Sequence, residues 1–154
     1  MKIYRLTISV IVMSMCALMA LPAMSAEYEV TYGIIGGEGA NKYFSQETTN
    51  IPLRYKESGF KWGFKVTSMP PENHNGRFVF RLPAPPKTFG LSLMLRSKVA
   101  EDRMQFTSGF YFINGEYWRS MGFDEGDPTG ICEVNVYVEE KLIKTIRFNV
   151  YEEK

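Results

Sequence analysis

The chain has 154 residues, 45% of them hydrophobic and 23% charged, with 18 Lys and Arg against 17 Asp and Glu and a formal net charge of +1. That balance, with no Lys/Arg-rich block, leaves no electrostatic footprint for nucleic acid. Two cysteines and one histidine exclude most thiol-pair, metal-cluster and multi-histidine chemistry.

The N-terminus reads as an export signal. Lys2 and Arg5 form a short basic region, and Leu6 to Leu21 is nearly all apolar and uncharged. Pro22 ends that run, and Ala23-Met24-Ser25-Ala26 supplies the small residues of a cleavage site between Ser25 and Ala26. A transmembrane helix needs about 20 apolar residues to cross roughly 30 Å of hydrocarbon, so this shorter run suits a signal helix that is removed. Cys16 follows Met15 rather than a small residue, which argues against lipidation. Residues 1–25 are therefore expected to be a signal-peptide helix, and residues 27–154 one domain of the periplasm or the medium, without stable membrane insertion.

That domain, about 128 residues, has the commonest single-domain size and is large enough for a core without cross-links. Losing Lys2 and Arg5 with the leader turns its formal charge to −1. Cys132 then has no intramolecular partner, so packing must hold the fold.

Period-two patterning dominates from Tyr28 onward. Tyr28, Val30, Tyr32 and Ile34 share one face of a strand, which the glycines from Gly33 to Gly39 are expected to dissolve into a loop or bulge. A second extended segment is expected through Lys42 to Leu53. Phe60, Trp62, Phe64 and Val66 alternate with Lys61, Gly63, Lys65 and Thr67 until Met69-Pro70-Pro71, where proline cannot donate to a ladder. Asn73-His74-Asn75-Gly76 has turn chemistry. Phe78, Phe80 and Leu82 stand in register on the strand that follows, which Pro83-Ala84-Pro85-Pro86 closes. Leu91 to Leu95 is apolar but too brief to classify by period, and Ala100 to Arg103 reads as a surface crossing.

Asn114-Gly115 sits between Phe110-Tyr111-Phe112-Ile113 and Glu116-Tyr117-Trp118-Arg119. This predicts a hairpin, because a type I′ turn requires positive φ at both central residues. Asp127 to Gly130 forms another turn. Cys132, Val134, Val136 and Val138 share a face of the next strand. Leu142, Ile146, Phe148 and Val150 share a face of the last, with Lys144 out of pattern. Seven to nine short strands at this spacing, with no helical stripe, predict an antiparallel β-sandwich or barrel.

The order Gly59-Phe60-Lys61-Trp62-Gly63-Phe64, Gly109-Phe110-Tyr111-Phe112 and Gly130-Ile131-Cys132-Glu133-Val134-Asn135-Val136-Tyr137-Val138, then Lys141-Leu142 and Phe148-Asn149-Val150, resembles a bacterial exported family of unknown function. The resemblance covers roughly Val30 to Val150 and implies a single immunoglobulin-like β-sandwich. It carries over no catalytic residues, and Cys132 stands where such closing hairpins often hold an aromatic.

No catalytic residue, metal ligand or cofactor is assigned. His74, among Pro, Asn and Gly, is expected as an ordinary exposed loop histidine, and Cys132 as an inert core thiol. The Gly33–Gly39 cluster lacks the Lys-Ser/Thr ending and following helix of a phosphate loop. Met69, Met94, Met104 and Met121 are too scattered for copper handling. Asp124-Glu125-Gly126-Asp127 lacks EF-hand spacing for calcium, and with Glu116 it would supply the acid/base pair of a carboxylate-dependent hydrolase. Tyr111, Tyr117, Trp118 and Arg119 are residue types favoured at binding hot spots, clustered about one turn. They are the candidate binding residues. The expected function is a non-enzymatic interaction module for an envelope or extracellular protein, reached through an edge strand or this hairpin. The alternative partner is a glycan stacked on Tyr117 and Trp118.

Overall fold

The computed structural model describes residues 26–88 and 97–153. The signal segment and its Ser25/Ala26 cut lie outside the described residues, as do Leu91 to Leu95 and Met94. The elements run β1 (Glu27–Gly36), β2 (Tyr43–Glu47), β3 (Asn50–Pro52), β4 (Lys61–Met69), β5 (Asn75–Arg81), β6 (Lys98–Val99), β7 (Gln105–Tyr111), β8 (Glu116–Met121), β9 (Gly130–Val138) and β10 (Lys141–Tyr151), with one 3-10 turn at Gly39–Asn41. The ten strands among the described residues slightly exceed the expected seven to nine, because the segment from Lys42 to Leu53 splits into β2 and β3 and the short β6 is added.

Two sheets face each other, ordered β2-β1-β4-β8 and β3-β10-β9-β5-β7-β6. All pairings are antiparallel except β3 on β10, where the short third strand runs alongside the last. Within these sheets, β1-β4-β8 and β5-β9-β10 reproduce the two-sheet alternation of immunoglobulin sandwiches, and β7 and β6 widen the second sheet. The expected immunoglobulin-like antiparallel sandwich is the fold.

Alternation builds the core. Trp62, Phe64 and Val66 of β4 meet Phe78 and Phe80 of β5, the Cys132–Val138 face of β9, and Ile146, Phe148 and Val150 of β10. Ring contacts cross between the layers: Trp62 to Phe148 at 4.9 Å, Phe64 to Phe78 at 5.6 Å and Tyr32 to Phe148 at 6.0 Å between centroids. Each such residue, fully withdrawn from water, contributes about 1.5–3 kcal/mol.

Local detail refines these expectations. Of the loop or bulge expected over Gly33–Gly39, it is the bulge that forms within the strand, as a register shift between Ile34 and Ile35, while β1 runs on to Gly36. Gly33 and Gly63 pair across β1 and β4 with φ of 153° and 154°, a backbone region that side chains resist, so the glycines continue the ladder rather than end it. In β10, a shift between Leu142 and Lys144 explains why Lys144 breaks the pattern. The extra residue turns Leu142 outward, 49% exposed, and lays Ile143 against the core instead. Finally, the Ala100–Arg103 segment is no crossing but the turn joining β6 to β7, closed by Ala100 N–H to the Gln105 carbonyl at 2.9 Å.

Candidate functional site

The turn at Asn114-Gly115 forms as its chemistry demands, with φ of 55° and 77° and the Ile113–Glu116 pair exchanging hydrogen bonds of 2.9 and 3.1 Å. Its flanks do not form a long hairpin. They share only the Ile113–Glu116 bridge, after which β7 joins the six-stranded sheet and β8 the four-stranded one. Competing partners divide them. Phe112 N–H donates to the His74 carbonyl at 3.1 Å, and Ser68 N–H donates to the Gly115 carbonyl at 2.8 Å. Gly115 lies so close to Pro71 that a Cβ there would stand 2.6 Å from the proline Cα.

That division scatters the four candidate binding residues. Tyr111 is 55% exposed at the end of β7. Tyr117 stands opposite the buried Val66 and so turns inward, its ring stacked 4.1 Å from Phe110. Burial pushes its hydroxyl pKa up, and the Arg119 guanidinium beside it only partly offsets that. Arg119, opposite buried Phe64, also turns inward and lies 5.0 Å over the Phe78 ring. Trp118 points the other way, onto the outer face, stacked 5.0 Å from Phe44 with Lys65 Nζ 5.4 Å above its ring. The structure therefore brings Tyr117 and Arg119 together inside, and leaves Tyr111 and Trp118 on separate surfaces.

Around the turn a different set of side chains gathers. Ile113 is 72% exposed and Met69 44% exposed, on either side of the contact between Gly115 and Pro71, with Tyr111 two residues before Ile113. Sequence reasoning missed Ile113 and Met69 because each sat in a run read as strand or core. Ile113 lies past the end of β7 in the turn's own bridge, and Met69 is the last residue of β4, so each stands at the border of its sheet.

His74 is not an exposed loop residue. Its side chain is 12% exposed, with Nδ1 3.0 Å from Glu139 Oε1 and Nε2 3.5 Å from Glu72 Oε2. The rings of Tyr28 and Phe112 meet it edge-on at 5.5 and 5.9 Å. The two carboxylates sit on opposite ring nitrogens, so one cation cannot reach all three groups. This clamp closes the end of the sandwich beneath the exposed Ile113 and Met69.

At the opposite end of β8 lies a cleft of about 320 Å³ between the sheets, walled by Trp62, Phe78, Phe80, Phe106, Met121 and Phe123. It is also lined by Lys61, Arg119, Ser120, Asp124, Asp127 and Cys132. Trp62 Nε1, Arg119 Nε and Ser120 Oγ are buried without a hydrogen-bond partner. Leaving such a donor unpaired costs about 1–3 kcal/mol; Ser120 alternates with Arg119 and so lies on the outer face of β8, whereas Trp62 and Arg119 face inward with the residues that line the cleft. Cys132 lies among them with its thiol pKa pushed up to about 12, chiefly by burial, which suits an inert neutral thiol.

The acidic residues do not assemble. Asp127 accepts from the Asp124 N–H at 2.8 Å in a tight turn, and burial pushes its carboxyl pKa up. Glu116 pairs with Lys65 at 2.7 Å at the other end of β8. Glu116 opens the six-residue β8 and the aspartates lie past its far end, at least roughly 17 Å away at about 3.3 Å per strand step, too far for the acid/base pair of a glycosidase. Among the described residues, no group of three or more His, Cys, Asp or Glu is placed to hold a metal ion.

Residues 30–151 match a family described as PM0630 beta sandwich domain. No curated protein matches the chain. Among solved structures, an immunoglobulin-like protein from Pseudomonas aeruginosa is similar at 15% identity, covering 82% of this chain and 97% of that one with a TM-score of 0.49.

Proposed function

Because this chain belongs to the PM0630 beta sandwich domain family, we propose that it works as an exported, non-enzymatic binding module whose partner is another envelope or extracellular protein. The export reading rests on Lys2, Arg5 and the apolar run from Leu6 to Leu21. The partner surface is the Asn114-Gly115 end of the sandwich. One observation carries this: Tyr111, Ile113 and Met69 stand exposed at 55, 72 and 44% on an end held rigid beneath them by the His74 clamp and the Pro71–Gly115 contact. Aromatic and branched side chains such as Tyr111 and Ile113 on a fixed backbone lose less conformational entropy when covered than long flexible ones, which favours them as anchors of an interface. The glycan alternative has less support, since Tyr117 stacks inside on Phe110 and leaves only Trp118 of its intended pair outside.

A photocrosslinking residue at Ile113, with a second at the exposed Tyr151 as control, tests the reading in the native envelope. A discrete protein adduct from position 113 that is absent from position 151, and lost with Met69→Asp, supports it. Equal or absent adducts at the two positions overturn it, and an oligosaccharide-dependent fluorescence change of Trp118 would move the assignment to glycans.

A further inference from the structure

Carboxylates ring the exposed Asn114-Gly115 end of the sandwich. On the four-stranded sheet, Glu27 stands opposite Met69, and Glu29 and Glu116 flank Thr67 two residues further along the same face. On the six-stranded sheet, Glu139 N–H donates to the carbonyl of Asn75, whose cross-strand partner is Tyr111. Glu139 therefore lies two strand spacings from Tyr111, roughly 10 Å at about 4.8 Å each. Glu72 sits at the other nitrogen of His74, whose carbonyl holds Phe112 immediately before Ile113.

Few cations answer them. Lys65 is taken up by Glu116 at 2.7 Å and Arg77 by Glu140 at 3.1 Å, and the exposed Lys141 follows Glu140 in the turn. Among the described residues, no lysine or arginine pairs with Glu27, Glu29, Glu72 or Glu139. His74 stands between Glu72 and Glu139, and one imidazole cannot neutralise both. Tyr28 registers the field, its hydroxyl pKa pushed up first by burial and then by Glu139 and Glu72. Six carboxylates against three cations leave an excess of three negative charges at this end, although residues 27–154 together carry a formal −1. Glu139 and Glu140 hold their carboxylates there at φ of 46° and 65°, a turn conformation that asparagine and glycine adopt at lower cost.

Resting on the reading of this end as a protein-binding surface, we propose that the partner presents a cationic segment, in which lysine or arginine alternates with large apolar side chains. The apolar side chains cover Ile113, with Tyr111 on the six-stranded sheet and Met69 on the four-stranded one, exposed at 72, 55 and 44%. The cations meet Glu27, Glu72 and Glu139. Packed sheets lie about 10 Å apart, so three residues of an extended segment, at about 3.3 Å each, reach from one to the other. Charges at the rim of an apolar contact select the partner and speed its arrival more than they tighten the final complex. The same excess repels acidic proteins and the anionic surface of a lipid bilayer.

The probe is a fluorescent peptide alternating lysine with leucine, compared with a second in which glutamate replaces lysine. Anisotropy is expected to show saturable binding of the lysine peptide, at least ten-fold tighter than the glutamate peptide. That affinity is expected to fall several-fold between about 0.01 and 0.15 M salt, as the Debye length shrinks from roughly 30 to 8 Å. Glu27→Gln with Glu72→Gln, which keeps side-chain shape and leaves Glu139 on His74, is expected to weaken it at least five-fold. Ile113→Ser is expected to weaken both peptides, whereas Glu47→Gln with Glu125→Gln, away from this end, leaves the lysine peptide unchanged. No saturable binding, equal binding of the two peptides, or an affinity that the first glutamine pair leaves unchanged overturns the proposal. A discrete position-113 adduct in the envelope alongside such a failure strikes only the partner's charge, whereas loss of the adduct strikes the protein-binding reading itself.

Discussion

β9 lies between β10 and β5, whereas β8 has β4 as its one ladder neighbour among the described residues. In β9 the inward positions Cys132, Val134, Val136 and Val138 are all buried, and they alternate strictly with the half-buried outward Glu133, Asn135 and Tyr137. In β8 every residue is half-buried. Tyr117, Arg119 and Met121 face inward while Trp118 is covered on the outer face by Phe44. A strand with neighbours on both sides expresses its alternation as a clean division between core and water. A border strand bends its division around whatever covers each face. For β8 that means a cleft on one side and an aromatic pair on the other.

The largest test of this contrast is a charge in β9. Val136 is fully buried between β5 and β10, so Val136→Asp places an unpaired carboxylate in the core. It is expected to cost more than about 4 kcal/mol and to abolish the cooperative urea transition. A variant that still unfolds cooperatively within about 0.5 kcal/mol of wild type, as an ordinary surface change does, would show that β9 is not the closed centre described.

A smaller effect separates the strands by pH. The Cys132 thiol rises from 9.0 to about 12 on folding. A raised folded value means the neutral form is favoured in the native state. Its stabilisation is complete below about pH 9 and is lost as pH climbs towards about 12. At pH 7, Cys132→Ala is expected to be about 1 kcal/mol less stable than wild type, for the lost sulfur contacts. That deficit should shrink or reverse by pH 11, because only the wild type carries the alkaline penalty. Equilibrium unfolding of both chains across pH 7 to 11 checks it, and a constant gap would mean that the thiol titrates as it does in water.

How much of this was legible beforehand differs by region for the same reason. The faces of β4, β5 and β9 follow from period two alone, because both neighbours of each strand are present and the hydrophobic side has one place to go. The Asn114-Gly115 turn was equally legible, being a local matter of φ. Which sheet each flank would join was not, since it depends on Phe112 meeting His74 and Ser68 meeting Gly115, contacts with no trace in local pattern. Tyr117, Trp118 and Arg119 are adjacent in sequence and so looked like one surface, although adjacent strand residues necessarily point to opposite faces. The bulge at Leu142–Lys144 left a visible mark, the misplaced lysine, but the residue that would turn outward was not determined by it. The cleft left none, because unpaired donors are defined by what fails to approach them.

The smallest expected effect concerns the outer face of β8. Phe44 comes from β2, at the opposite border of the four-stranded sheet, yet its ring stacks on Trp118 at 5.0 Å with planes 28° apart. The two side chains reach each other across β1 and β4 near the Gly33–Gly63 pair, where the Ile35 side chain also packs, its Cδ1 3.4 Å from where a Gly63 Cβ would stand. This makes the pair a clasp over the sheet, built on glycines that also serve the backbone. Stacked aromatic pairs couple by about 0.5–1.5 kcal/mol beyond the area they bury. A double-mutant cycle of Phe44→Ala and Trp118→Ala is therefore expected to return a coupling in that range, with Lys65→Met removing a small part of it through the lost contact over the indole. Strict additivity of the two substitutions would reduce Trp118 to an independent surface residue. Coupling that vanishes in Gly63→Ala, where a methyl would meet the Arg119 carbonyl, would show instead that the glycine pair is what lets the two borders of this sheet touch.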